Sequence, residues 1–333
     1  MEDNTQVING NSESVNTGGG DDTVAITGDR NEATTSMGED NVAVAGNANE
    51  IDTGAQSDAV TLDGDRNTVT SGSGADDVTT NGNLNTINAG GGRDTVTVDG
   101  NRNTIRSGGG SDTVTVEGNQ NIVRTANGND TVLITGDQNR IVTGTGSDTI
   151  ITQGDINRIL SGTGDDLITV DGDRNFVDAG AGNDRVNVIV NSVGTEVVGN
   201  LGNDTLSGRN QSDILRGDEG DDILRGGGGK DLLAPGAGND TLIGGSDRDL
   251  FVFGTDAFNN RGDINTIRNF ENFEQSGTSG DKLVIQGYTP GSALTTVDGQ
   301  TYVFQLGNSE LTIDFGTEIT LSEKDFLAAD SLA

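Results

Sequence analysis

From residue 22 to residue 184 this chain repeats an acid every 18 positions, and few folds are compatible with such a rule. The series runs Asp22, Asp40, Asp58, Asp76, Asp94, Asp112, Asp130, Asp148, Asp166 and Asp184 without a gap. Halfway between its members lies an amide series: Asn31, Asn49, Asn67, Asn85, Asn103, Asn121, Asn139, Asn157 and Asn175. A fixed period of this length marks a solenoid, in which each repeat is one coil stacked on the last. The consensus coil reads x-G-x-G-x-D-T-V-x-V-x-G-[DN]-x-N-x-[VI]-x.

Each half of the coil holds one short strand. Val24 and Ile26 share a face in the first and recur as Val42/Val44, Val60/Leu62, Val96/Val98, Val114/Val116 and Val132/Ile134. In the second, Ile51, Val69, Ile87, Ile105, Val123, Ile141, Ile159 and Val177 form one rank. Two residues further on, Thr35, Thr53, Ser71, Ala89 and Ser107 are small enough for a narrow corner. This alternation of β-branched and polar residues predicts two parallel sheets facing each other, with coils about 4.8 Å apart. Gly and Asx residues at both corners supply the positive φ and the local hydrogen bonds that tight turns need. Composition agrees with so thin a core. Of nine Phe and two Tyr, all but Phe176 lie after residue 250, so the repeats have almost no bulky side chains.

After Asp184 the phase slips by two residues and the period halves to nine: Asp204, Asp213, Asp222, Asp231, Asp240 and Asp249. Leu206, Leu215, Leu224, Leu233, Leu242 and Phe251 are the inward residues of these units. Gly217-Asp218-Glu219-Gly220-Asp221-Asp222 and Pro235-Gly236-Ala237-Gly238-Asn239-Asp240 show the motif, and both corners are now Gly-rich and acidic. The unit resembles the G-G-x-G-x-D-x-U-x nonapeptide of RTX (repeats-in-toxin) proteins. The resemblance is most specific over residues 199–254 and extends through 17–184 on alternate half-coils. The G-[DN]-x-N corner departs from the motif, and Gly208-Arg209-Asn210-Gln211-Ser212-Asp213 is a degenerate copy. The expected fold is therefore all-β: a right-handed parallel β-roll or β-solenoid with 18-residue coils of two short strands each, and a small β-rich C-terminal cap. The expected divisions are 1–193 for the 18-residue solenoid, 194–254 for the nonapeptide roll, and 255–333 for the cap and secretion-signal region.

The two Asp series are the expected metal ligands, and the metal is Ca²⁺ in several copies. Calcium takes six to eight oxygens, largely carboxylates and carbonyls, and a Gly-rich corner presents both. Stacked carboxylates about 5 Å apart repel by about 1 kcal/mol per pair even in water, so an unbroken row of them calls for a cation. The Asn series reads as an amide ladder hydrogen-bonded from coil to coil, with a second metal row through Asp29, Asp65, Asp137, Asp155 and Asp173 as the alternative.

Other chemistry is excluded by what the chain lacks. Without His or Cys it has no imidazole base, no thiol nucleophile and no ordinary zinc site. A net charge of −34, from 53 acids and 19 bases, repels nucleic acid and anionic membranes. No apolar run approaches 18 residues, so membrane insertion is not expected, and Met1-Glu2-Asp3-Asn4-Thr5 does not read as a Sec signal. No H-E-x-x-H, G-x-S-x-G or P-loop appears, and no enzymatic activity is expected.

From Leu250 onward aromatics take over: Phe258, Phe270, Phe273, Tyr288, Tyr302, Phe304, Phe315 and Phe326 can build a small core. Asp263–Phe270 and Gly280–Ile285 resemble the end region of RTX proteins, and Leu321–Leu327 resembles the uncleaved C-terminal signal of type I secretion substrates. That resemblance implies export as an unfolded chain to the cell surface or medium, with folding in extracellular calcium. The expectation is a secreted structural protein that self-associates head-to-tail or laterally into a filament or surface layer. The alternative is a monomeric RTX adhesin or ice-binding solenoid, suggested by Thr95-x-Thr97 and Thr113-x-Thr115.

Overall fold

The structure, a computed structural model, describes residues 2–190, 194–257, 263–270, 280–286, 294–296, 300–306, 309–317, 319, 321 and 325–326. The chain is an all-β parallel β-solenoid of about 14 turns with coils of about 18 residues. It divides into two compact units, Met1–Thr163 and Gly164–Ala333.

In the first unit, one parallel sheet collects the first strand of every coil, from Thr5–Asn9 and Thr23–Thr27 to Thr149–Gln153. The other collects the second, from Ser14–Asn16 and Glu32–Thr34 to Arg158–Thr163. Pairing holds an 18-residue offset throughout, as in Val96↔Val114 and Ile105↔Val123. The period-2 pattern explains which side faces in. Val96, Val98, Ile105 and Ser107 are buried, while Thr95 and Thr97 between them are exposed. Stacking β-branched residues on their own kind gives each coil the same shape as its neighbours, which fixes the register.

The corners continue the ladder rather than interrupting it: Gly110 N–H donates to the Asn127 carbonyl at 2.8 Å, and Thr113 N–H to that of Asp94 at 2.8 Å. Close approach explains a glycine such as Gly110 (φ 136°), where a Cβ would collide with the Gly92 carbonyl of the preceding coil. At the other corner the residue before each ladder Asn is left-handed although it is not glycine. Arg30, Arg66 and Arg102 have φ of 58–60°, and even Leu84 and Ile156 have 62° and 59°. The stacking of coils imposes this conformation against the side chain's own preference. Residues 5–16 form a coil of their own, in phase with the rest, whose Ile8 and Val15 are only half-buried.

The second unit has two parallel sheets of the same kind, from Leu167–Asp171 and Phe176–Ala181 onward. One of the two extra residues after Asp184 is taken up by a register shift, Val170 pairing with Val188 but Asp171 with Val190. Leu206, Leu215, Leu224, Leu233, Leu242 and Phe251 are all fully buried, as expected. In the cap, Ile264–Arg268 and Lys282–Ile285 each add a parallel strand, and Ser309–Asp314 pairs parallel to the first of these. Thr301–Leu306 then turns the sheet antiparallel, which ends the solenoid repeat. Phe270 stacks between Phe251 and Phe315, with ring centroids 5.8 and 5.2 Å apart, and the Tyr302 hydroxyl donates to the Ile319 carbonyl at 2.7 Å. Of the expected cap aromatics, Phe258, Phe273 and Tyr288 lie outside the described residues, as do 322–324 and 327 of the signal-like tail.

Candidate metal centre

Each ladder Asp of the 18-residue series is at most 2% exposed. One carboxylate oxygen, Oδ1, accepts the backbone N–H of the Asp one coil earlier: Asp94 N–H to Asp112 at 2.9 Å, Asp112 N–H to Asp130 at 2.8 Å, Asp166 N–H to Asp184 at 2.8 Å. The other oxygen, Oδ2, has no hydrogen-bond partner in any of Asp22, Asp40, Asp58, Asp76, Asp94, Asp112, Asp130, Asp148, Asp166 and Asp184. A buried carboxylate oxygen without a donor is costly, and here it recurs at every rung.

The Asn corner shows what would satisfy it. Asn121 Oδ1 accepts the Asn103 N–H at 2.7 Å, repeating the Asp pattern, but its Nδ2 donates to the Gly100 carbonyl at 3.0 Å. Asn85, Asn103, Asn139 and Asn157 do the same. From Asn49 to Asn157 the Asn series is thus a self-satisfied amide ladder, while at its start the buried Asn31 Nδ2 has no hydrogen-bond partner. Replacing that nitrogen by oxygen turns a donor into a second acceptor, and what then closes the corner must be positive.

The nonapeptides of the second unit convert both corners to this type. One ladder continues from Asp184 to Asp204, Asp222 and Asp240, crossing the 20-residue gap with a 2.7 Å bond. The other, on the Asn side, passes through Thr195 to Asp213, Asp231 and Asp249. All six of these Asp are buried with Oδ2 unpartnered. Space is cleared for them as well. A Cβ on Gly208 would lie 2.5 Å from Asp213 Oδ2 and 2.6 Å from the Gly226 carbonyl of the next coil. Gly199, Gly217 and Gly226 face the same pair of acceptors beside Asp204, Asp222 and Asp231. Two acceptor oxygens converge on a gap that a side chain would fill, which suits a hard cation. The degenerate copy at Asp213 keeps this cradle. Among the described residues no three acidic side chains come together as a metal-binding group, so a cation here depends on backbone carbonyls beside the carboxylate.

In the 18-residue coils the position five before the Asp is not glycine. Thr35, Thr53, Thr125 and Thr143 stand there, each donating its hydroxyl to the carbonyl of the corresponding residue one coil on, at 2.9–3.3 Å. In those corners a hydroxyl shares the carbonyl. The five-before position on the Asn side is filled by apolar residues such as Val98 and Val116, both buried. Three kinds of corner result: packed by an apolar side chain and closed by an amide, partly filled by a small side chain beside an acid, or emptied by glycine and left with facing acceptors.

Burial is the main cause that pushes many of these carboxyls up, opposed by the accepted N–H and in most of them reinforced by neighbouring carboxylates, whereas Asp22 in the first coils is held down by its hydrogen bonds. Asp58, Asp76 and Asp94 rise to about 6. Asp204, Asp231 and Asp240 rise to about 7, and Asp249 to about 8. Two members of the alternative metal row go the other way. Asp29 and Asp65 are pulled down by the Asn47 and Asn83 backbone N–H groups and then by their side-chain amides. They belong to an outer ladder in which each side chain accepts from the coil after it, as do Asn83 from Asn101 and Asn119 from Asp137.

Three ladder members escaped the sequence reading: Thr195, Asn265 and Asp281. Asn265 accepts the Asp240 N–H at 3.3 Å and Asp281 that of Asp249 at 2.8 Å, so they carry the two ladders into the cap. Their spacings of 25 and 32 residues hide them. The triplets Asn265-Thr266-Ile267 and Asp281-Lys282-Leu283 nonetheless keep the polar-x-apolar form of Asp240-Thr241-Leu242.

Two exchanges test this account. Asp112→Asn should insert a donor where Oδ2 now lacks one, lowering bound calcium while stabilising the calcium-free form; Asn121→Asp should do the reverse. Calcium titration by calorimetry together with urea melts in chelator would read both, and unchanged stoichiometry in Asp112→Asn would refute the assignment. Gly217→Ala should bring a Cβ into collision with Asp222 Oδ2 and the Pro235 carbonyl, weakening calcium binding and lowering Tm in calcium by several degrees. A wild-type melt would refute the cradle.

A family model for the RTX calcium-binding nonapeptide repeat, built as four copies, matches residues 79–114, 97–132, 151–186, 198–233 and 236–257. Among curated proteins nothing matches the chain. The matched segments include 18-residue coils as well as nonapeptides, and their repeats are calcium-binding repeats. Those repeats, and the parallel solenoid they build, fit the RTX β-roll family.

Proposed function

We propose that the chain is a secreted structural protein of the cell surface or extracellular matrix, exported by a type I route and folded by calcium. The observation that carries this reading is the row of buried, unpartnered Oδ2 atoms. Asp22, Asp40, Asp58, Asp76, Asp94, Asp112, Asp130, Asp148, Asp166 and Asp184 would hold Ca²⁺ along one corner. Asp204, Asp222 and Asp240 would do so beyond them, and Asp213, Asp231 and Asp249 along the opposite corner. Carbonyls of the Gly-rich turns complete the oxygen set, and the ion supplies the positive charge that facing acceptors lack. Three regions share the work in this reading: a solenoid over 1–193, a nonapeptide roll over 194–254, and a cap with export signal over 255–333. Repeats that bind an abundant extracellular ion and build rigid coils suit a scaffold.

Self-association is the finer part of the reading. Thr5–Asn9 pairs with Thr23–Thr27, and its other edge meets no strand among the described residues; Val7 beside it is 64% exposed. An open parallel edge accepts a strand from a second copy, and a contact that does not close produces a filament. Light scattering and negative-stain imaging in calcium test this, and a monodisperse monomer at high concentration would leave only a calcium-binding scaffold.

One observation favours a second reading, a monomeric binding module. Thr61, Thr79, Thr97 and Thr115 stand in register on one outward face, beside a second rank of Thr95, Thr113, Thr131 and Thr149. Thermal hysteresis, measured in calcium, separates an ice-binding face from a scaffold.

A further inference from the structure

The second-strand sheet of the first unit has an outward face whose charge is divided along its length. Its nine strands run in register from Ser14–Asn16 to Arg158–Thr163. Near one end Glu32, Glu50 and Asp52 point outward and are exposed. Toward the other, Arg106, Arg124, Arg140 and Arg158 point outward, Arg106 and Arg158 exposed and Arg124 and Arg140 half-buried beside half-buried Ile122 and Val142. Thr68, Thr70, Thr86, Asn88 and Thr104 separate the two groups without charge. In a chain with 53 acids and 19 bases, four arginines on neighbouring strands are a local reversal of the overall field. Among the described residues Arg106, Arg124 and Arg140 take part in no ion pair.

The division is self-complementary. The register places Glu32, Glu50, Ile122, Arg140 and Arg158 in one lengthwise column. Asp52, Asn88, Arg106 and Arg124 stand in the next. A twofold axis lying in the face along the middle strand, Thr86–Gly91, preserves columns and reverses strand order. Asp52 is two strands before that middle and Arg124 two after it; Glu32 is three before and Arg140 three after. The operation therefore sets Asp52 of one copy against Arg124 of the other and Glu32 against Arg140, twice each. At the axis Thr86 and Asn88 meet their own counterparts and one strand away Arg106 meets Thr70, so no like charges are set directly opposite each other.

We propose that this face pairs with the same face of a second copy in antiparallel fashion, an isologous contact between solenoids. The inference rests on the self-association reading and names its lateral contact. Opposite patches at matched distances from a centre steer two copies into one register, while the remaining acidic surface disfavours others. With nine strands about 4.8 Å apart, the strip is about 40 Å long.

Sedimentation of the full chain in calcium tests it, with circular dichroism confirming that each variant is folded. Asp52→Arg puts two arginines face to face at both contacts, and Arg124→Glu two acids. Each variant alone should dimerise at least ~10-fold more weakly than wild type. An equimolar mixture of the two should regain wild-type association, because only the mixed dimer has opposite charges at both contacts. The double variant should also regain it. Raising salt to 0.5 M should weaken the wild-type dimer. Wild-type association that is indifferent to both substitutions would overturn the antiparallel pairing and leave association through the open edge standing. A wild type that stays monomeric would overturn both. Loss of association in Arg124→Glu without rescue by the mixture would mean that the arginines meet some other anionic partner, and would likewise overturn the pairing.

Discussion

Moving the protein from millimolar calcium into EGTA at pH 8 is expected to abolish most of its β-structure, and returning calcium to restore it. The acid ladders dictate the size of the effect. Sixteen buried Asp carry an unpartnered Oδ2, and at pH 8 most of them must be either charged without a counterion or protonated against the solution. Adjacent charges repel by about 1 kcal/mol per contact in water and by more where the site is drier. Summed over the ladders, that matches or exceeds the net stability of an ordinary domain. The order of loss should follow the corners. Residues 204–249 have acid ladders on both sides, whereas the 18-residue coils keep an amide ladder on one. Far-ultraviolet circular dichroism during calcium titration should show the nonapeptide region folding at higher calcium than the first coils. Equal β content with and without EGTA would remove the basis of the proposed function.

Acid should substitute for calcium. Burial, with help from the neighbouring carboxylates, raises Asp204, Asp231 and Asp240 to about 7 and Asp249 to about 8 in the folded chain, against an ordinary carboxyl near 3.8 when unfolded. Between those values the folded state binds more protons than the unfolded one, so calcium-free stability falls as pH rises. The contribution is complete below about pH 4, falls progressively as pH rises, and is gone above about pH 8. In EGTA, lowering the pH from 8 to 5 should therefore bring β-structure back. With calcium present the trend reverses, because protons compete for the same oxygens and affinity weakens as pH falls. A chelated chain that stays unfolded at pH 5 would show that ladder repulsion is not what calcium relieves.

The sequence shows most of the solenoid because its information is periodic. Asp112 and Asn121 could be assigned to opposite corners from spacing alone, and the acceptor-only chemistry of one against the donor-acceptor chemistry of the other follows from residue type. What spacing cannot show is where a side chain's second atom points. The cradle beside Asp213 and the occupied corner beside Asp130 differ by Gly208 against Thr125, and only packing reveals that this position borders the carboxylate. Nor does periodicity survive insertions. Asn265 and Asp281 hold ladder positions because the strands after them return to the same sheets, which depends on three-dimensional closure. The left-handed backbone at Leu84 and Ile156 was hidden for a related reason: no local preference favours it, and the neighbouring coils impose it.

The inner and outer ladders run in opposite senses. Asn121 takes its hydrogen bond from the coil before it, whereas Asn101 takes one from the coil after it. Their side-chain carbonyls therefore point toward opposite ends, and their dipoles cancel within each turn. A row of amides all facing one way would sum like the peptide units of a helix, and its end charges would accumulate with length. Cancellation removes that penalty. Whole coils can then be added or deleted in steps of 18 residues without changing the field at either end, so the length of such a solenoid is free to drift while its chemistry stays constant.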